Sequence, residues 1–358
     1  MPNKNNELSF SGQKFYIGID VHKKSWKVTI RTNQMELKTI SMNPSVQELS
    51  KHMKGNYPGG IYYSVYEAGY CGYWISRQLS KEGIENIIVN PADVPTMSKE
   101  RTTKTDTIDS RKLARELENG TLAGIYIPTE FQEEMRSLCR LRYQLVGNQI
   151  RTKNRIKSLL SYYGEQLPEN YEIKNWTRKF IDYLKMYSLK EKQISRQCLL
   201  TLIEELNVTQ EKIKGIVKQL EDISKESEIQ SVISKLISIP GISFITAITL
   251  YTEIINIERF NHLDELSCFV GLVPSIFSSG QKENVLGITE RHSKYLRNLL
   301  IEAAWIAIRK DPAMTMKYAE LTKRMSKQEA IVRIAKKMLN RVRHVWHNRE
   351  EYVLSLVA

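Results

Sequence analysis

Cysteine is sparse in this chain of 358 residues: only Cys71, Cys139, Cys198 and Cys268 are present, far apart. No CxxC pair or Cys/His cluster occurs, which excludes a zinc site of the usual spacing. The spacing suggests reduced cytosolic thiols rather than a disulfide framework. No apolar run reaches the ~18 residues that a membrane span requires. Residues 1–11 are polar and lack the apolar centre of a signal peptide. Internal repeats, low-complexity segments and glycine-rich phosphate loops are also missing.

Positive charge, by contrast, is in excess. Lys and Arg number 53 against 40 Asp and Glu, a net charge of +13. Such an excess favours a polyanionic partner through counterion release, although a merely soluble basic protein has the same arithmetic. Hydrophobic residues at 41% and charged residues at 26% describe a globular chain able to bury a core. The length suggests roughly two domains on a ~150-residue prior.

The first third reads as α/β. Residues 14–22 form an apolar strand ending near Asp20, and residues 25–31 alternate apolar and polar through Trp26, Val28 and Ile30. A third strand covers residues 36–40, and a helix starts near residues 44–49. A strand at 61–66, a helix at 73–81 and a strand at 86–90 follow, then a helix beyond residue 105. Three consecutive strands before the first helix fit a ribonuclease-H-like fold. A doubly wound nucleotide-binding fold would place a crossover helix after the first strand, where this chain has a short turn at His22-Lys23-Lys24.

From about residue 130 the chain reads as helical. Residues 136–160 carry Arg136, Arg140, Arg142, Arg151, Lys153, Arg155 and Lys157 with no acidic residue. A second long helix is expected over residues 189–226. The two form an antiparallel hairpin, a dimerising coiled coil, or a helical bundle packed on its own domain. Ile239-Pro240-Gly241-Ile242 between apolar helices resembles a helix-hairpin-helix, whose turn presents backbone N–H groups to phosphate, but Pro-Gly also marks an ordinary turn. The C-terminal helix, over residues 326–349, is basic through Lys327, Arg333, Lys336, Lys337, Arg341, Arg343 and Arg349, with an apolar face of Ile331, Ile334, Ala335, Met338, Val342 and Val345.

Two constellations carry chemistry. Asp20 and Glu67 each end an apolar run, and Asp106 and Asp109 sit three apart at a helix start, so both project from one face. Without a cation these four carboxylates would repel and some would protonate; with Mg²⁺ they supply the hard oxygen ligands that ion demands. Each alone is ambiguous. Gly-Ile-Asp also opens sugar kinases and actin-like ATPases, and the Asp pair alone also complements a helix dipole. Lys99, Arg101 and Lys104 flank the pair and suit an incoming phosphodiester. The second constellation is Phe277-Ser278-Ser279-Gly280-Gln281-Lys282. A serine on an exposed turn is a nucleophile if activated, and Lys282, Arg291 and Arg297 could offset phosphate charge; read alone, Ser-Ser-Gly is a β-turn. No histidine lies close by in sequence to form a Ser-His pair.

Together the motifs resemble the bacterial insertion-sequence transposases that pair a RuvC-like four-carboxylate (DEDD) domain with a serine-containing C-terminal domain. These are relatives of the Piv DNA invertase, also described as bridge-RNA-guided recombinases. The resemblance rests on Tyr16-Ile17-Gly18-Ile19-Asp20-Val21-His22, Glu67-Ala68-Gly69 and Lys104-Thr105-Asp106-Thr107-Ile108-Asp109 in the N-terminal part. In the C-terminal part it rests on Ile239-Pro240-Gly241-Ile242, Gly271-Leu272-Val273-Pro274, Ser278-Ser279-Gly280, Gly287-Ile288-Thr289 and Leu296-Arg297.

The resemblance implies an α/β ribonuclease-H-like (RuvC-like) domain over residues 12–128. A helical, coiled-coil segment would follow over 129–228, then a mainly α transposase domain with a helix-hairpin-helix-like element over 229–358. It implies that Asp20, Glu67, Asp106 and Asp109 bind Mg²⁺ or Mn²⁺, and that Ser279, or Ser278, attacks DNA to form a covalent intermediate. Donor and target DNA, a noncoding guide RNA, and a homodimer or homotetramer with the two domains meeting across subunits would be the partners. The setting would be the bacterial cytoplasm, with no membrane. Lys104, Arg140, Arg142, Arg151, Lys153, Arg155, Lys282, Arg297, Lys337 and Arg341 would face nucleic acid.

Three positions depart from the family pattern: Ser110 replaces the usual Ala, Gln281 replaces a second Gly, and Glu290-Arg291-His292-Ser293 lacks a common Gly. Two other functions stay open at this level. One is a RuvC-like nuclease or junction resolvase in which metal-activated water attacks; the other is a non-catalytic nucleic-acid-binding protein.

Overall fold

The computed structural model describes residues 9–95, 106–165, 176–187, 192–279, 282–288 and 293–354, with backbone alone over 274–279 and 282–288. The chain divides into two compact units, residues 1–127 and 128–358.

The first unit is built on a five-stranded sheet. Its strands are β1 (Lys14–Val21), β2 (Trp26–Thr32), β3 (Met35–Met42), β4 (Ile61–Glu67) and β5 (Glu85–Val89), in the order β3-β2-β1-β4-β5. The first three form an antiparallel meander, whereas β4 and β5 run parallel to β1. Helices α1 (Val46–Asn56) and α2 (Trp74–Lys81) supply the crossovers. Period-2 alternation decides what each face does. Phe15, Ile17 and Ile19 are fully buried in a cluster with Leu49, Met53 and Leu79. Each such side chain contributes about 2 kcal/mol on burial.

The intervening positions of β1, including Gly18 and Asp20, point to the opposite face, against which helix α3 (Asp106–Glu118) packs. Val65 and Val89 on that face cluster with Leu113 of α3. Three contacts set the helix in place. Gly18 lies so close to the α3 backbone at Ser110 and Ala114 that a Cβ would overlap it. The buried Ser110 hydroxyl shares a 2.9 Å hydrogen bond with Thr29, which also bonds Thr39 at 2.9 Å. Near the other end, Arg31 donates to Glu118 at 2.8 Å, with both side chains largely enclosed.

The second unit is mostly helical. Helix α4 (Glu130–Tyr162) opens with a Thr129/Gln132 capping box and pairs with α6 (Gln193–Ile223). The pair is antiparallel: Met135 and Cys139 share a core with Ile216 and Leu220, while Ile156 and Leu160 share one with Leu199 and Ile203. Helix α5 (Arg178–Tyr187) adds Phe180 and Leu184 to the latter cluster. Next come α7 (Ser227–Ile237) and α8 (Phe244–Ile254), joined by the Pro240-Gly241 turn, then α9 (Leu263–Val270). Gly241 has φ +98° and abuts Ala303 and Ala307, so the turn needs glycine for both conformation and close approach.

Strands β6 (Pro274–Ser279) and β7 (Lys282–Ile288) form an antiparallel hairpin, an element absent from the sequence-based expectation. Helices α10 (Lys294–Lys310), α11 (Pro312–Thr322) and α12 (Lys327–Asn348) complete the unit. The apolar face expected of the last helix is the one buried: Ile331, Ile334, Ala335, Met338, Val342 and Val345 all lie in the core. No helix among the described residues is long and apolar enough to cross a membrane.

Candidate metal centre and nucleic-acid interface

The four carboxylates gather on the α3 side of the first sheet. Ile19 pairs with Tyr66 across β1 and β4, so Asp20 and Glu67 are the next residues along adjacent parallel strands. Alternation turns both toward α3, whose first turn carries Asp106 and Asp109. The α3 anchors at Gly18, Ser110 and Glu118 therefore fix the Asp pair against the strand ends. Ser110 binds Thr29 and supports this docking.

Two cationic or potentially cationic groups link the acids. His22 Nε2 lies 3.1 Å from Asp20 Oδ2 and 3.6 Å from Asp106 Oδ1. Lys112 Nζ lies 3.7 Å from Glu67 Oε1 and 3.5 Å from Asp109 Oδ1, and its side chain is only 9% exposed. Sequence reasoning gives neither group a role; the available signal for Lys112 is its i, i+3 spacing from Asp109, which brings the two onto one helical face. Burial pushes the Asp20 carboxyl above the usual carboxylate range; His22 pulls it down, and Asp106 and Asp109 push it up again. Like charges so placed favour either a proton or a cation.

Asp20, His22 and Asp106 each offer one ligand atom, all within 4.8 Å of one another. Asp20 and Asp106 provide the hard oxygen donors that suit Mg²⁺ or Mn²⁺, and an imidazole nitrogen at the rim is better tolerated by Mn²⁺. The donor chemistry and the mutual repulsion of the acids both fit a divalent cation.

In the second unit Ser279 is the last residue of β6 and pairs in register with Lys282 at the start of β7; Ser278 pairs with Glu283. Gly280 and Gln281 lie outside the described residues, as do Arg291 and the Lys99, Arg101 and Lys104 expected beside the Asp pair. Arg297 sits half-buried in the first turn of α10.

Several basic residues expected to face nucleic acid are engaged within the protein. Arg140 donates to both carboxylate oxygens of Glu253, at 2.7 and 2.8 Å, and Glu253 is 5% exposed. Arg341 pairs with the buried Asp311 and stacks on Tyr352 at 4.6 Å. Arg155 lies 3.8 Å from Glu205, Arg151 donates to Asn148, and Lys153 sits 5.6 Å from the Trp176 ring centroid. Concave surfaces among the described residues carry further basic side chains. A groove of about 400 Å³ between α11 and α12 gathers Lys317, Arg324, Arg333, Lys336 and Lys337. A cavity of about 700 Å³ beside α4 is lined by Arg142, Tyr143, Arg151 and Asn298.

Comparison with known proteins gives two family matches. Residues 17–164 match the DEDD-type IS110 transposase domain, and residues 233–319 match the family described as transposase IS116/IS110/IS902. A putative transposase of Sinorhizobium fredii is 27% identical over 300 residues, spanning 77% of this chain and 74% of that protein. The transposase for insertion sequence element IS1111A of Coxiella burnetii is 27% identical over 252 residues, 67% of this chain and 64% of its own length. That of IS1533 from Leptospira borgpetersenii is 26% identical over 304 residues, 82% and 85% respectively. With the four-carboxylate domain and the C-terminal domain matched in this order, the chain belongs to the IS116/IS110/IS902 family of insertion-sequence transposases.

Proposed function

We propose that this transposase cuts and rejoins DNA through a covalent serine–DNA intermediate, assisted by a divalent cation at the four carboxylates. The observation that carries the reading is the convergence of Asp20, Glu67, Asp106 and Asp109 from two strands and one helix around His22 and Lys112. The sheet order and the α3 packing support a ribonuclease-H-like assignment for the first unit. The antiparallel α4–α6 pair is consistent with a coiled-coil segment over 129–228, preceding a serine-containing domain over 229–358. The α7–turn–α8 element matches a helix-hairpin-helix in outline.

Asp20 and Asp106, with Glu67 and Asp109 behind them, would hold Mg²⁺ or Mn²⁺. The bound ion would polarise the scissile phosphate and lower the energy of the charge that develops on it. Ser279 ends its strand at the hairpin tip, opposite Lys282, with Arg297 a short way along the chain. Its Oγ attacks phosphorus; a phosphorus–Oγ bond forms as a phosphorus–sugar-oxygen bond breaks, and the serine proton passes to the released sugar oxygen. The reverse step, with another strand's hydroxyl as nucleophile, rejoins the DNA and frees the serine. Lys282 and Arg297 offset charge at the phosphate. Arg142, Arg151, Lys153, Arg155 and Lys337 supply backbone contacts, as would Lys104, while Arg140 and Arg341 are held by Glu253 and Asp311.

Incubation with element-end DNA followed by denaturing electrophoresis tests the reading. A protease-sensitive DNA adduct that disappears in Ser279→Ala and persists in Ser278→Ala supports it. Cleavage retained in Ser279→Ala without any adduct would assign attack to water instead. DNA binding without cleavage by the wild-type chain would reduce the protein to a binding role. The guide RNA and the homodimer or homotetramer belong to the same reading by resemblance; copurifying RNA and solution mass measure them.

A further inference from the structure

The four acids are not equivalent. Glu67 and Asp109 share the ammonium of Lys112, at 3.7 and 3.5 Å, and that side chain is 9% exposed. Asp20 and Asp106 face His22 instead, at the more open end, where Asp106 is 66% exposed. Among the described residues, the Glu67–Asp109 half of the site contains a fixed ammonium, and the Asp20–Asp106 half has the imidazole of His22 instead.

Enzymes that hydrolyse phosphodiesters with two metal ions hold them about 3.5–4 Å apart on shared carboxylates. In this site a second ion beside the first would have to be bound by Glu67 and Asp109. Lys112 is covalently part of α3, whose position is set by Gly18, Ser110 and Glu118, so the ammonium is delivered there whenever the unit is folded. An ammonium so enclosed has its lost hydration offset by the acids it touches, and the acids in turn are held together by a cation between them.

We propose that Lys112 takes the place of a second divalent ion, so that the site binds a single ion on the Asp20–Asp106 side. The proposal rests on the reading of the carboxylates as a metal centre and refines it: Lys112 is a positioning residue that holds Glu67 and Asp109 in place. It also accounts for a division of labour. With one ion and one fixed ammonium, the site orients and polarises a phosphate, while the attacking oxygen comes from elsewhere.

Mn²⁺ titration of the full chain, followed by calorimetry and by the electron paramagnetic resonance signal of free Mn²⁺, tests this. The expected result is one ion per wild-type chain, one in Lys112→Arg and two in Lys112→Met. In EDTA, Lys112→Met should melt below wild type, and saturating Mn²⁺ should raise its melting temperature by more than it raises that of wild type. Two ions per wild-type chain would overturn the proposal while leaving the metal centre intact, and this decides the matter even if Lys112→Met does not fold. One ion in Lys112→Met, with an unchanged response to Mn²⁺, would also overturn it. No ion in wild type would overturn both the proposal and the metal centre on which it rests.

Discussion

Gly18 on β1 packs directly against Ser110 on α3, so closely that no side chain fits between the strand and the helix backbone. This contact sets the height of α3 above the sheet, and with it the distance from Asp106 and Asp109 to Asp20. A Gly18→Ala substitution should therefore push the helix away. Overpacking of this kind costs about 3 kcal/mol. Chemical denaturation should report a loss of that size in the first unit, together with weaker Mn²⁺ binding. Unaltered stability would mean that the helix is not seated as described.

Ser110→Ala is expected to be mild. It removes the 2.9 Å bond to Thr29, but Thr29 keeps its bond to Thr39. A loss of about 1 kcal/mol follows, with metal binding retained. Ser110→Val adds volume at a fully buried position beside Thr29 and should be distinctly worse, which a parallel melting series would reveal.

Glu253 is 5% exposed and is held by the Arg140 fork. Arg140→Met leaves a buried carboxylate without that partner and should destabilise the second unit by about 3 kcal/mol. The Arg140→Met/Glu253→Gln double variant should recover most of it. If Arg140→Met instead weakens DNA binding alone, at full stability, its place is at the nucleic acid and not in the fold.

Burial pushes the Cys139 thiol from 9.0 up to about 11. Because the folded state holds this proton more tightly than the unfolded state, the associated stability is complete below pH 9 and is lost as pH rises toward about 11. Cys139→Ala should flatten that loss in alkaline melts. Iodoacetamide at pH 8 should modify the exposed Cys198 and Cys268 while sparing Cys139 until the chain unfolds; mass spectrometry of the labelled peptides would show it.

Arg333 and Lys337 are exposed on the α12 side of the basic groove. Their replacement by Gln should weaken DNA binding across sequences and lower the salt dependence by about one unit of slope for each phosphate no longer neutralised. Binding isotherms over a range of salt concentrations would measure it, and an unchanged slope would remove the groove from the interface.

Much of this organisation is legible in the order of residues. The apolar run from Phe15 to Ile19 marks a buried strand, and the element order of the first unit follows from where apolar runs and turns fall. The apolar stripe of the last helix is legible because its period has one solution. The hairpin at 274–288 is not, since Pro274 and Gly287 break the pattern that marks strands. Arg140 reads as a solvated cation because its partner, Glu253, is 113 residues away. Lys112 is obscure for a related reason, as a lysine in a polar helix normally faces water.

The sequence by itself determined which residues could be acids, cations or nucleophiles, and the short-range periodicity that makes strands and helices of them. It also carried the family pattern. Only the tertiary structure decided pairing: that Lys112 serves Glu67 and Asp109, that His22 serves Asp20 and Asp106, and that Gly18 admits α3 to the sheet. The physical reason is one of range. Backbone geometry repeats over two to four residues and is written locally, whereas the field at a carboxylate depends on groups brought within a few ångströms by packing, whatever their separation along the chain.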